Sequence, residues 1–379
     1  MIIENIDELF DYAVRIRRNI HEYPEVGFDL PRTTALVTEE LRAMGLNPSH
    51  AYGQCSVVAE LGQGEELLAL RADMDALPVT EINDLPYKSK TPGKMHACGH
   101  DSHTAVLLAV AKYLKAHEQE LTKRVRLMFQ PAEECAVSGA KMMVDAGVLD
   151  GATTTVCTHC DNTIEAGELV ICSGDYMAAC VPLTIKFFGK TSHAAFPHMG
   201  VDAVAMAVEA YGRMKAMVAE EAGDTPYIWC VGHFSGGEVH NVVPDLCTMD
   251  ISFRFYDMAF AGRVEAKVRR ICQEIADRFG GRCEIDWHMS TGPVYNDPAL
   301  VADFERIVTE AGLSIGHVPP RMSSEDFGWM LEKVPGFIFR FGTRNEALGC
   351  TGVAHRNTFM IDESGMRSAI RAFIAYALS

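Results

Sequence analysis

The sequence predicts an α/β protein, with a mainly parallel sheet flanked by helices and interrupted by an inserted ferredoxin-like domain. Strand-like and helix-like segments alternate through about the first 175 residues, as a parallel sheet with crossover helices requires. The pattern then changes to βαββαβ, the split βαβ arrangement. After about residue 294 the first pattern resumes, and 379 residues exceed the roughly 250 to 300 that one core accommodates. The expected organisation is therefore a discontinuous first domain, residues 1–178 and 294–379, around an insert at residues 179–293.

The elements follow in order. "IDELFDYAVRIRRNI" has helical periodicity, while "SVVAEL" and "ELLALRAD" read as buried strands. "HTAVLLAVAKYLKAHEQE" reads as a helix, "RVRLMFQ" as a strand, "GAKMMVDAG" as a helix stopped by Gly147, and "TTTVCTHC" as a strand ended by His159. In the insert come a strand "VPLTIKFFG", a helix at 201–221, strands "YIWCVGHF" and "CTMDISFRF", a helix at 262–279 and a strand "RCEIDWHM". The 201–221 helix spaces Ala and Met for packing, so Met206 and Met214 are expected in a core. A helix near 298–311, a strand "GFIFRFG" and a helix at 364–378 complete the first domain.

Composition narrows the function. Hydrophobic residues at 48% and charged residues at 22% suit well-filled cores rather than disorder. The 34 basic residues against 51 acidic ones give a formal net charge of −17, which disfavours nucleic acid and favours small molecules or cations. The opening "MIIENIDELFDYAV" lacks a basic, apolar leader, and no run approaches the ~20 apolar residues of a membrane span, so a cytoplasmic protein is expected. Twelve scattered cysteines show no zinc-ribbon spacing, and the one C-x-x-C, Cys157 to Cys160, reads better as buried strand than as a redox pair.

Ligands of open α/β sheets gather beyond the carboxyl ends of the strands. Asp73 and Asp75 close "LLALRADMD", Glu133 and Glu134 follow "VRLMFQP", and His159 ends its segment. In "MHACGHDSHT", Cys98 and His100 flank Gly99, which permits an unusual backbone shape, and a thiolate with an imidazole suits zinc, manganese or cobalt. Alone, a C-x-H is more often a buried thiol and a capping histidine. Adjacent Glu133 and Glu134 repel unless a cation or proton intervenes, although such pairs alone are usually solvated turns. Lone histidines such as His159 and His355, the latter in "TGVAHRNTF", are usually structural too. The convergence of Cys98, His100, Glu134, His159 and His355 on strand-end loops of one sheet argues for metal more strongly than any one of them. His103, at the expected helix start, suits a backbone role, and His96 merely flanks the loop.

The ordered set "RADMDALP", "MHACGHDSHTAVLL", "FQPAEE", "GKTSHAAFPH", "HNVVPD", "SSEDF" and "HRNTF" resembles the amidohydrolase branch of the aminoacylase and carboxypeptidase family of di-metal peptidases. Hippurate hydrolases, N-acyl-amino-acid amidohydrolases and auxin–amino acid conjugate hydrolases belong to that branch. The resemblance implies two divalent ions, zinc, manganese or cobalt, held by Cys98, His100, Glu134, His159 and His355, with the cysteine between them. It implies Glu133 as general base and Asp75 as the residue that orients a ligand, with Asp73 outside the ligand set. It further implies that the insert serves as lid and dimer contact, that His193 stabilises the tetrahedral oxyanion, and that Asn241 touches substrate. Arg321 is a candidate for the substrate carboxylate. The expected reaction is hydrolysis of an N-acyl amino acid or peptide-like amide by a homodimer or dimer-based oligomer. Two departures stand out: Thr191 and Ser192 replace the glycines usual before the lid histidine, and "THCDN" replaces the usual "LHVWP" around His159. Alternatives are a dipeptidase or carboxypeptidase, an N-acyl-diaminopimelate deacylase, a non-catalytic metal-binding protein, and a metal-free cysteine enzyme using Cys98 with His100.

Overall fold

The structure, a computed structural model, describes residues 5–379. The chain forms two compact units, one comprising the residues up to Tyr176 with Val294–Pro320 and Asp326–Ser379, the other Met177–Pro293 with Arg321–Glu325. Hydrogen bonds explain why the short 321–325 segment groups with the insert: Ala178 N–H donates to Ser323 O, and the Arg254 guanidinium donates to Met322 O and Ser324 Oγ.

The first unit is built on a seven-stranded, mainly parallel sheet, in agreement with the predicted class. Its order is Val57–Leu61, Arg124–Gln130, Leu67–Asp73, Thr154–Glu165, Gly336–Arg344, Leu169–Ile171 and Ile315–His317. The Val57–Leu61 strand is antiparallel to its neighbour, and Leu169–Ile171 is antiparallel to Gly336–Arg344, while the interior pairings are parallel. Every residue of Leu67–Asp73 is buried, which is why it reads as a continuous apolar run rather than an alternation. The helix His100–Ala116 is buried along nearly its whole length, and Met366–Leu378 joins it in the same core. The helix Ile6–Glu22 instead buries a single stripe, Leu9, Tyr12, Ala13, Ile16 and Ile20, at the three-and-four spacing of an amphipathic helix.

Two boundaries that place site residues differ from the sequence expectation. The helix expected to start at His103 starts at His100, because Gly99 takes the N-cap position at φ +87° and no Ser, Thr or Asp side chain marks the start. The strand expected to end at His159 runs on to Glu165. Its pairing with Leu67–Asp73 nevertheless stops at Arg71 and Cys157, a register that sets His159 level with Asp73, the last residue of that neighbour.

The second unit has the βαββαβ order. Its four-stranded antiparallel sheet runs Arg282–Trp287, Ala179–Phe188, Leu246–Phe255 and Tyr227–Gly236, and the helices Ala203–Ala222 and Met258–Phe279 pack against it. Asp202 and Asp257 cap these helices through Ala205 N–H and Ala259 N–H, so the second helix begins four residues before its expected start. Met206 and Met214 are fully buried, as packing residues should be. No helix among the described residues is long and apolar enough to cross a membrane.

Candidate metal centre

Three loops of the first unit bring donor atoms together at the sheet edge. Cys98, His100 and His159 each offer a donor atom within 4.8 Å of the others, and so do Cys98, Glu134 and His355. Cys98 belongs to both groups, and His100, Glu133 and Glu134 form a third that joins them. All five expected ligands and Glu133 therefore converge, although 257 positions separate Cys98 from His355 in sequence.

Each donor is set by its backbone. Cys98 and His100 flank Gly99 and turn toward one point, and the left-handed φ and close packing of Gly99 leave no room for a side chain: an added Cβ would lie 2.2 Å from Cys160 Sγ. We expect Gly99→Ala to lower stability by about 1 to 3 kcal/mol through the backbone term alone and to weaken ion uptake by displacing both flanking donors. Urea unfolding of the variant with a wild-type midpoint would contradict this account.

Ala132, at φ +53°, turns the chain so that Glu133 and Glu134 follow the Arg124–Gln130 strand into the cluster. Asp75, almost fully buried, accepts from Glu133 N–H (3.0 Å) and Glu134 N–H (3.2 Å), and its Oδ1 lies 3.5 Å from His100 Nδ1. Asp75 thus holds the backbone of both glutamates while facing a histidine.

Tautomers follow from the partners. The Cys160 carbonyl can only accept, so His159 Nδ1 carries the hydrogen in the 2.6 Å contact and Nε2 is left bare, 3.5 Å from Cys98 Sγ. That is the arrangement a metal-binding histidine takes, its second nitrogen held by a backbone carbonyl. His103 behaves differently: it donates from Nδ1 to Asp73 Oδ1 (2.6 Å) and accepts at Nε2 from the Cys160 amide (2.9 Å). With both nitrogens engaged it has a structural role, and Asp73, which also accepts from Arg71 Nη1 at 2.7 Å, is committed with it.

Charge in the cluster is unbalanced without a cation. His100 is fully buried, and neither of its ring nitrogens, nor Glu134 Oε1, makes an aligned hydrogen bond. His355 Nε2 lies 3.1 Å from that oxygen, and His100 Nε2 lies 3.8 Å from Glu133 Oε2 and 3.9 Å from Glu134 Oε1. Burial opposes a charged His100, yet Asp73, Cys98 and Asp75 push it well above its ordinary range, which marks the cluster as one that attracts positive charge. Burial, reinforced by Glu134, pushes the Cys98 thiol well up, and burial pushes His159 well down. A thiol so reluctant to ionise is a poor unaided nucleophile, which counts against the metal-free cysteine reading. The orphaned buried atoms and the mixed thiol, imidazole and carboxylate set fit borderline divalent ions.

Other expected residues lie elsewhere. His193 and Asn241 are neighbours in the second unit, where Ser192–His193 pairs with Val242–Val243 and Ala194 N–H donates to Asn241 O at 2.9 Å. Arg321 also belongs to that unit and forms a parallel bridge with Met177. Cys157 and Cys160 are both buried in one strand and, three residues apart, face opposite sides, which rules out a local redox pair. His96 is buried without a ring hydrogen bond, and burial pushes it down to about 3, so it is neutral.

The sequence reading missed the polar layer behind the centre. Arg71 donates from Nε to Gln130 Oε1 (2.8 Å) and from Nη2 to Asp326 Oδ1 (3.0 Å). Asp326 also accepts from Gln130 Nε2 (2.9 Å), Ser138 Oγ (2.7 Å) and Ala140 N–H (3.1 Å), tying down both ends of the loop that carries Glu133 and Glu134. Its traces in the sequence are the charged pair Arg71 and Asp73 inside an otherwise apolar strand, Gln130 in "FQPAEE" and Asp326 in "SSEDF", none of which states the contacts between them.

Known proteins share this arrangement of motifs and fold. The profile of peptidase family M20/M25/M40 matches residues 69–379. Thermostable carboxypeptidase 1 of Saccharolobus solfataricus is 33% identical over 369 residues, covering 96% of this chain and 94% of its own. N-acetyl-L-cysteine deacetylase of Bacillus subtilis is 33% identical over 368 residues, covering 96% and 87%. The solved structure of the YXEP protein of Bacillus subtilis, described as a dinuclear metal-binding peptidase of the M20 family, is similar with a TM-score of 0.84 at 28% identity, covering 98% of each chain.

Proposed function

The chain belongs to peptidase family M20/M25/M40 and is a hydrolase of carbon–nitrogen bonds, and from that premise we propose that it hydrolyses the amide of N-acyl amino acids or similar small conjugates at a two-metal centre. The observation that carries this reading is the pair of donor groups sharing Cys98, with Glu133 beside both. Cys98, His100, Glu134, His159 and His355 would hold the ions, zinc, manganese or cobalt. When bound, such ions supply Lewis acidity, lowering the pKa of water toward ~7 and polarising the carbonyl.

The chain's own residues do the rest. Glu133 accepts the proton of the attacking water and returns it to the departing nitrogen. Asp75 keeps Glu133 and Glu134 in register through their two amides and so separates the base from the ligand. From the second unit, His193 would donate to the developing oxyanion and Asn241 would contact substrate. The strand Tyr227–Gly236 lies at the edge of its sheet, and we assign it, with the outer side of the helix Ala203–Ala222, to a homodimer contact; a monomeric mass by light scattering would remove that assignment. Twelve cysteines, with no disulfide among the described residues, suit a reducing cytoplasm.

The test is a substrate panel on apoprotein reloaded with zinc, manganese or cobalt. Release of amino acids from N-acetyl and benzoyl conjugates, abolished by chelation and restored by metal, is expected. Preferential cleavage of free dipeptides or carboxy-terminal residues would instead favour the carboxypeptidase reading that one relative's name suggests. Cleavage of N-acyl-diaminopimelate alone would favour the deacylase. In the same panel His193→Ala should lower turnover with metal content unchanged; full activity would exclude it as the oxyanion donor.

A further inference from the structure

We propose that Asn162 is a positioning residue for the loop that carries His355, and that it sets how tightly one of the two ions is retained. The inference rests on the two-metal reading above. Asn162 lies three residues beyond His159 on the same strand and is buried. Its Nδ2 donates to Gly352 O (2.9 Å) and to Met360 O (2.6 Å), while its Oδ1 accepts from Thr343 Oγ1. One amide thus joins both stems of the 352–360 arc to the strand of another ligand. The stems are already close, since a Cβ on Gly352 would sit 3.0 Å from Thr358 O.

His355 depends on that arc. Its side chain is 57% exposed, so packing does not fix it, and its φ of +69° is a conformation a histidine seldom adopts unless its surroundings impose it. Its ring approaches Glu134 without an aligned hydrogen bond. Apart from its backbone bond to Ala97 O (2.7 Å), its position comes from the loop's attachments. Those from Ile82 N–H to Asn357 O (3.1 Å) and from Asn83 Nδ2 to Phe359 O (3.0 Å) hold only the descending side. Asn162 alone among these reaches both ends. It also stands in "THCDN", where the sequence departs from the usual "LHVWP"; a proline in its place could donate neither bond.

The experiment titrates zinc into chelator-treated wild type, Asn162→Asp and Asn162→Ser against a chromophoric competitor, and follows the thermal midpoint of apo and loaded forms. The aspartate keeps the shape but replaces both donated hydrogens with an oxygen facing two carbonyls, whereas serine retains one donor and a gentler change. We expect wild type to bind two ions, and each variant to bind one ion normally and the other about 10- to 100-fold more weakly, the range for outer partners of metal ligands. The metal-induced rise in midpoint should shrink more than the apo midpoint falls. If Asn162→Asp does not fold, Asn162→Ser decides. Two ions bound as in wild type, or an apo midpoint that falls with unchanged ion affinities, would overturn the role of Asn162 alone. Failure of the wild-type apoprotein to take up two ions would overturn the two-metal reading itself.

Discussion

Replacing Glu133 by glutamine is expected to lower kcat by about 10²- to 10⁴-fold, the usual contribution of a positioned general base, while two ions per chain remain bound. Glutamine preserves volume and leaves the backbone bond to Asp75 in place, so the change falls on proton transfer. Glu134 provides the contrast. Its Oε1 lies 3.1 Å from His355 Nε2 and has no aligned hydrogen bond, so Glu134→Gln should instead deplete metal. Metal analysis beside single-turnover kinetics separates the two outcomes. A Glu133→Gln protein that keeps a tenth or more of wild-type kcat would exclude Glu133 as the base.

The largest loss of stability is expected from Asp326→Ala, about 3 to 5 kcal/mol, the cost of removing one partner from a buried ion pair. Arg71 and Asp326 are both about 1% exposed, and the substitution would leave the Arg71 guanidinium buried without its ion-pair partner at Nη2. Gln130, Ser138 and Ala140 would lose an acceptor at the same time. Urea unfolding measures the loss, and a decrease below about 1 kcal/mol would show that this layer is not what holds the Glu133–Glu134 loop. Asp326→Asn, which keeps an acceptor but no charge, should fall between.

Local patterns carried much of the fold into the sequence. Apolar runs such as that of Leu67–Asp73 and the alternation in the insert follow directly from which faces are buried. The five expected ligands were legible only as a set, through their place on strand-end loops of one sheet and the motifs that resemble the di-metal family, since each alone reads as structural. The helix start at His100 was not, since a glycine N-cap leaves no polar marker. Nor was the continuation of the strand through Asp161 and Asn162, two polar residues whose partners include Arg340 and the 352–360 loop, far away in sequence. The same holds for Arg71 and Asp326, which meet across 255 positions.

The strand Gly336–Arg344 lies between Thr154–Glu165 and Leu169–Ile171, inside the sheet rather than at its margin. A nascent chain still threading that segment through the ribosome leaves the flank of Thr154–Glu165 open, a hazard for aggregation that chaperones would be called on to shield. The four sheet strands of the insert, all within 179–287, have by then been synthesised and can pair with one another. Translation order therefore obliges the hydrolytic half of the protein to be finished last, although it was begun first.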